Sequence, residues 1–161
     1  GAPVLSVFGG KITTYRVLAR QAMKTLKAAL KTETDDWTRD VPLPGGDFSP
    51  EDFEQLCAEY LERWPFLTEA VIIRLVRAYG TDTKKILVGA QNESDLGTCF
   101  GAGLYEAEVD WLIRHEFALE AEDILWRRSK LGLHMTEAEK NNVARWFKER
   151  NPVSAAPETV S

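Results

Sequence analysis

The chain has 161 residues, of which 44% are hydrophobic and 28% charged, with a net charge of −5. That length can bury the core of one ordinary domain, and the acidic balance argues against non-specific binding of nucleic acid. Two cysteines, Cys57 and Cys99, are too few for a disulfide scaffold or a zinc site and are expected to stay reduced in the cytoplasm; no apolar run is long enough to span a bilayer.

In chain order, Val4–Phe8 is a β-like run that enters Gly9-Gly10, followed by Lys11, Ile12, Thr13 and Thr14. Two glycines let the backbone turn sharply and approach a ligand closely. A helix starting behind them aims free N–H groups and the positive end of its dipole at the same place, where Lys11 adds a full charge. The pattern suits an anion or an electron-rich ring; a tight turn before a structural helix has the same pattern. No later strand can pair with Val4–Phe8, so we expect this run to belong to a sheet lying upstream in a larger protein.

Thr13 or Thr14 is expected to cap a helix reaching about Lys31. Tyr15, Leu18, Ala22, Leu26 and Ala29 form its apolar stripe, with Arg16, Arg20, Lys24 and Lys27 largely off it. Thr32–Asp36 reads as a polar linker. Trp37–Asp47, with Pro42, Pro44, Gly45 and Gly46, reads as an irregular connection with a sharp turn. Ser49, Pro50 and Asp52 open the next helix as a capping box. Its face carries Phe53, Leu56, Cys57, Tyr60, Leu61 and Trp64, and Pro65 stops it. Thr68 caps a helix that buries Val71, Ile72, Leu75, Val76 and Tyr79 and stops at Gly80. A short helix then runs from Asp82 or Thr83 to about Val88, burying Ile86 and Leu87. Gly89–Gly103 reads as a long loop.

Leu104–Phe117 is amphipathic, with Tyr105, Val109, Leu112 and Ile113 inward, Glu106, Asp110 and Arg114 outward, and His115 a surface or capping residue near its end. Glu120–Leu131 reads as a helix ended by Gly132. Its Glu122, Asp123, Arg127 and Arg128 suit either a charge network pinning neighbouring helices or a docking surface. Thr136 with Glu139 is a second capping box, opening a helix to about Arg150 that buries Val143, Trp146 and Phe147. Asn151–Ser161 reads as a disordered tail. No metal-ligand spacing and no serine–histidine–acid set is present. The expected fold is all-α, an irregular or orthogonal bundle of six to seven helices preceded by one orphan β-like strand.

The stretches SVFGGKITTYR (Ser6–Arg16), WPFL (Trp64–Leu67), Tyr79–Gly80, and Ser94–Leu131 with SDLG, FGAGLYEAEVDWL, HEF and AEDILWRRSKLGL together resemble the C-terminal part of aerobic, FAD-dependent glycerol-3-phosphate dehydrogenase. The order and spacing are similar over residues 4–148. The related alpha-glycerophosphate oxidases share the architecture. The resemblance divides the chain into the tail of a flavin domain (1–36), a C-terminal helical domain (37–150) and a tail (151–161).

The resemblance implies oxidation of sn-glycerol 3-phosphate to dihydroxyacetone phosphate, with FAD as hydride acceptor and quinone as the final acceptor. It places Gly9, Gly10, Lys11, Ile12 and Thr13 at the flavin ring and Lys11 toward the substrate. It puts the dinucleotide fingerprint, the main phosphate-binding arginines and the catalytic base upstream. These residues therefore hold no catalytic group, and the chain alone is expected to be inactive and free of FAD. The implied partners are the upstream flavin domain, glycerol 3-phosphate and quinone, with a homodimer compatible and nucleic acid excluded. The implied location is cytoplasmic, peripheral on the inner face of the cell membrane. A helical interaction or scaffold domain is the alternative reading.

Overall fold

No described side chain before Leu43 is buried, whereas the residues after it build one continuous core. A computed structural model describes residues 4–32 and 37–150 and divides into two compact units, Gly1–Pro42 and Leu43–Ser161.

In the first unit, Val4–Phe8 forms no strand. This corrects the expected β-element: a strand needs a ladder partner, and the ladder found among the described residues pairs Cys99–Gly101 with Leu104–Tyr105 and does not include this run. A 3₁₀ turn, Ile12–Thr14, leads into α1 (Tyr15–Leu30). Neither threonine caps the helix. The Thr14 hydroxyl donates back to the Lys11 carbonyl at 3.1 Å, and the Thr14 N–H shares that carbonyl at 2.9 Å. Leu18, Ala22 and Leu26 of the apolar stripe are half-buried, while Tyr15 and Ala29 are exposed. Lys31 closes α1 in the left-handed region at φ 52°. Residues 11–31 contain six of the 20 Lys and Arg and none of the 25 Asp and Glu. Arg16, Arg20, Lys24, Lys27 and Lys31 follow one another at spacings of three or four, and like charges so placed oppose the helix by roughly 0.2–0.5 kcal/mol per pair. The Arg16 guanidinium donates to the Thr38 hydroxyl at 2.9 Å and to its carbonyl at 2.5 Å. Of the expected linker, residues 33–36 lie outside the described residues.

The second unit begins with a backbone contact. The Thr81 N–H donates to the Gly45 carbonyl at 3.0 Å. A Cβ on Gly80 would lie 1.9 Å from the Gly45 oxygen, and one on Gly45 would lie 2.0 Å from the Tyr79 oxygen. Only glycine fits either position, and both have positive φ. Ser49 accepts from the Glu51 N–H at 3.4 Å and starts a 3₁₀ turn, Pro50–Asp52, that runs into α2 (Phe53–Arg63). Trp64 lies just past α2, 2% exposed, edge-on to Tyr60 with ring centroids 5.3 Å apart. Thr68 caps α3 (Glu69–Tyr79) by accepting from the Val71 N–H. α4 (Thr83–Ile86) is short and buries Ile86 and Leu87.

The stretch expected to be a loop, Gly89–Gly103, has structure of its own. Asn92 and Asp95 form a capping box around a 3₁₀ turn, Glu93–Leu96. β1 (Cys99–Gly101) then pairs antiparallel with β2 (Leu104–Tyr105), with Cys99 opposite Tyr105 and Gly101 opposite Leu104. Leu104 and Tyr105 are thus strand residues, and α5 (Glu106–His115) starts later than its periodicity suggested. His115 is exposed and stacks on Trp111 at 3.8 Å.

Glu120–Leu131 is corrected as well: Asp123–Arg128 is π-helical. The Ser129 N–H reaches the Ile124 carbonyl at 3.2 Å, five residues back, and the Ser129 hydroxyl donates to the same oxygen at 2.5 Å. The stop is Lys130, left-handed at φ 61°, rather than Gly132. Gly132 lies under Trp126, whose ring would come within 2.7 Å of a Cβ there. The Thr136–Glu139 box forms in both directions, at 2.7 and 3.3 Å, and opens α6 (Glu137–Arg150). The expected tail, 151–161, lies outside the described residues. The all-α expectation holds, with six α-helices and one short hairpin among the described residues. The core gathers Ile72 and Val76 of α3, Leu104, Val109 and Leu112 of β2 and α5, Ile124, and Val143 of α6.

Candidate functional site

The glycine corner is built by local chain chemistry. Gly9 and Gly10 both have positive φ, 79° and 137°, and Lys11 returns to extended backbone at φ −110° before the 3₁₀ turn. Phe8, Gly9, Gly10, Thr14 and Leu18 line an open groove of about 170 Å³. Nothing lies within 4 Å of a Cβ built on Gly9, whereas one on Gly10 would stand 3.1 Å from Leu18 Cδ2. Lys11, Ile12 and Thr13 are exposed and stand outside the groove lining. The structure therefore joins the two glycines to α1 and leaves the other three expected site residues facing solvent. Phe8, 94% exposed, and Ile12, 87% exposed, flank the corner.

The second unit holds a buried polar cluster that the periodicity did not anticipate. Arg74 of α3 grips both oxygens of Glu108 of α5, at 2.8 and 2.6 Å, and also donates to the Gly103 carbonyl at 2.7 Å. The Tyr79 hydroxyl donates to the same carboxylate at 2.8 Å. Glu108 is only 2% exposed. Burial and the adjacent carboxylate hold the Tyr79 hydroxyl far above its ordinary pKa. Burial works against the Arg74 charge, but the Glu108 hydrogen bonds outweigh it and raise the pKa. Both carboxylate oxygens are occupied, so the cluster clamps α3 to α5 and to the hairpin turn instead of offering a free base. Its signal in the sequence was positional: Glu108 sits three and four residues from Tyr105 and Leu112 on the inward arc, and Arg74 sits three from Val71.

The acidic and basic residues of Glu120–Leu131 form a local network. Asp123 accepts from the N–H groups of Leu119 (2.8 Å) and Glu120 (3.2 Å) and from Arg127 (2.9 Å). The Leu119 N–H above all, with Arg127, holds the Asp123 carboxyl below its usual value. Arg127 also pairs with Glu120 at 2.7 Å, and Arg128 ties the segment to the Glu116 carbonyl after α5 at 2.9 Å. Glu122 is exposed. Among the described residues no group of three His, Cys, Asp or Glu could hold a metal ion, and no helix is long and apolar enough to cross a membrane.

Residues 37–152 match the family model described as the C-terminal domain of alpha-glycerophosphate oxidase. The chain is 44% identical over 154 residues to D-erythritol 1-phosphate dehydrogenase of Brucella abortus, covering 96% of this chain and 31% of that protein. It is 42% identical over 150 residues to glycerol-3-phosphate dehydrogenase of Pseudomonas aeruginosa (93% and 29%). It is 40% identical over 148 residues to aerobic glycerol-3-phosphate dehydrogenase of Escherichia coli K12 (92% and 29%). The chain thus spans about three-tenths of the length of these relatives. With the helical unit matched nearly end to end, the chain belongs to the family of the C-terminal domain of alpha-glycerophosphate oxidase.

Proposed function

We propose that these residues are the C-terminal part of an FAD-dependent sn-glycerol-3-phosphate dehydrogenase. The observation that carries the reading is the extent of the match: relatives named for glycerol 3-phosphate oxidation align over more than nine-tenths of the chain. The alignable length exceeds the helical domain, so it includes part of the first unit.

The glycine corner fits the edge of a flat ring. Gly9 leaves open space where a side chain would stand, and a helix starts within a few residues. Bound FAD would supply the acceptor for the two electrons released as the C2 alcohol becomes a ketone. In this reading Gly9 and Gly10 let the backbone come close to the ring. The peptides of Lys11, Ile12 and Thr13, at the head of α1, favour negative charge there. Lys11 attracts the phosphate or the carbinol oxygen of the substrate. Quinone as acceptor, a homodimer, and a cytoplasmic protein peripheral on the inner face of the membrane complete the proposal. The domain limits 1–36 and 37–150 belong to it too.

The test is the full-length protein encoded with these residues. It should purify with flavin absorbance and reduce a dye acceptor on addition of glycerol 3-phosphate. The chain alone should give no saturable flavin-fluorescence quenching at micromolar FAD. The Brucella relative favours a second substrate, D-erythritol 1-phosphate. A higher kcat/KM for that compound would replace glycerol 3-phosphate in the reading. Stoichiometric peroxide formed from oxygen would instead make the protein an oxidase.

A further inference from the structure

We infer that Phe117 and Leu119, at the corner after α5, form the surface by which the helical unit docks on the upstream flavin-binding part of the same polypeptide. The two residues flank Ala118, which is 1% exposed, while Phe117 is 78% and Leu119 77% exposed. Phe117 holds φ 57°, in the left-handed region where a bulky side chain is an outlier and glycine is the usual occupant of a helix end. The helical unit thus keeps an aromatic ring in a conformation that disfavours it and covers little of that ring in return. Leu119 stands just ahead of the π-helical segment, where a hydrophobic staple would fold it over Ile124. Ile124 is fully buried, yet Leu119 stays in solvent.

Hydrogen bonds fix the corner that presents these side chains. The Ala118 N–H returns to the Leu112 carbonyl at 3.1 Å, the Leu119 N–H donates to Asp123 at 2.8 Å, and the Arg128 Nε donates to the Glu116 carbonyl at 2.9 Å. The π-helical stretch Asp123–Arg128, a rare form that recurs at functional sites, supplies a partner in two of these three bonds. Backbone strain that its surroundings over-determine clusters at binding and switch regions. A side chain already held outward also loses less freedom when it docks.

The size of the patch decides between partners. Two such side chains offer on the order of 300 Å², whereas a stable association of separate molecules takes roughly 800 Å² from each. A tethered partner needs far less, because the linkage holds it at a roughly millimolar effective concentration and a few well-held side chains suffice. The tether belongs to the reading on which this inference rests, that these residues are the C-terminal part of a longer dehydrogenase. The chain spans 31% and 29% of two of its relatives, and its family is that of a C-terminal domain. The surface required on the upstream part is an apolar recess that admits a phenyl ring.

The experiment is hydroxyl-radical footprinting of the full-length protein and of the 161-residue chain, with oxidation of Phe117 and Leu119 read by mass spectrometry. Both should react about tenfold more slowly in the full-length protein when the docked form is populated about nine-tenths of the time; equal rates overturn the inference. Protection that appears in the 161-residue chain as its concentration rises, or that is lost when the full-length protein is diluted to monomer, overturns it in favour of a second copy. Phe117→Gly/Leu119→Ser removes the docking groups and gives the left-handed position its usual residue. In the 161-residue chain this variant should unfold at the same temperature or a higher one; a clear fall would mean that Phe117 packs within the helical unit, and overturns the inference. In the full-length protein, amides 120–130 should exchange more slowly than in the 161-residue chain, and the variant should abolish the difference; retained protection overturns the inference. Footprinting and exchange need neither flavin nor turnover. Protection in a full-length protein without flavin absorbance would therefore sink the dehydrogenase reading alone, and an active flavoprotein with an unprotected Phe117 would sink the docking alone.

Discussion

Replacing Glu108 with Gln keeps the shape of the side chain and removes its charge. Arg74 then loses both charge-assisted bonds, of 2.8 and 2.6 Å, and an amide NH₂ is forced toward the donors of Arg74 or Tyr79. Breaking a buried ion pair by removing one partner costs about 3–5 kcal/mol when the other charge is left dry. The Arg74 side chain retains 23% exposure and can recruit some water, so we expect a loss of about 2–4 kcal/mol. In a domain of this size that lowers Tm by roughly 8–20 °C. Urea unfolding followed by tryptophan fluorescence measures it, since four of the five tryptophans, Trp64, Trp111, Trp126 and Trp146, lie in the second unit. The double replacement Arg74→Met/Glu108→Leu should recover most of the loss, because a packed apolar pair needs no countercharge. A Glu108→Gln loss under about 1 kcal/mol, with an unchanged m-value, would refute the idea that this carboxylate clamps α3 to α5.

Trp126 is half-buried, with its ring against Gly132 and the Lys140 ammonium 5.4 Å from its centroid. Trp126→Ala should cost about 2–4 kcal/mol in the same urea assay, below the usual cost for a fully buried ring; a cost near zero would mean that the ring does not pack. Acid should weaken the domain. Asp47, held by the Thr81 hydroxyl, Asp123 by the Leu119 N–H, and Glu139 by the Thr136 N–H all have pKa values below the ordinary 3.8 or 4.5. Glu106 joins them, since hydrogen bonds from Thr98 and Arg150 outweigh its burial. The unfolded chain therefore takes up protons first, so this stabilisation is complete above the unfolded values and disappears as pH falls through the lower folded ones. Denaturation midpoints compared at about pH 6 and pH 3 should show the decline, with a shallower one in Asp123→Asn; a flat profile would contradict it. In the full-length enzyme, Lys11→Met should lower kcat/KM for glycerol 3-phosphate about ten- to a hundredfold with flavin content unchanged, the cost of one charge-assisted hydrogen bond. Steady-state kinetics that stay within a factor of two would make Lys11 a solvated turn residue.

What the sequence determined by itself is what depends on neighbours a few residues apart. Thr68 and Thr136 cap their helices because a hydroxyl reaches an N–H three residues on, and the Ile72–Leu75–Val76–Tyr79 stripe follows from the helical repeat alone. The same logic reached too far at Thr14, where the hydroxyl turns back to Lys11, and at Gly132, where the chain needs glycine for the Trp126 ring while Lys130 makes the turn. At Gly9-Gly10 both residues take positive φ, a conformation that glycine reaches without a Cβ clash, and nothing lies within 4 Å of a Cβ built on Gly9. Only the tertiary structure decided that Glu108 and Arg74, 34 residues apart, compensate each other's charge in the core. The same holds for the pairing of Cys99 with Tyr105 across a hairpin and for the carbonyl of Gly45, which leaves no room for a side chain at Gly80. Each of these depends on a partner distant in the chain, and the free energy of a buried charge, a ladder bond or a steric contact is set by that partner and not by the residue's own neighbours.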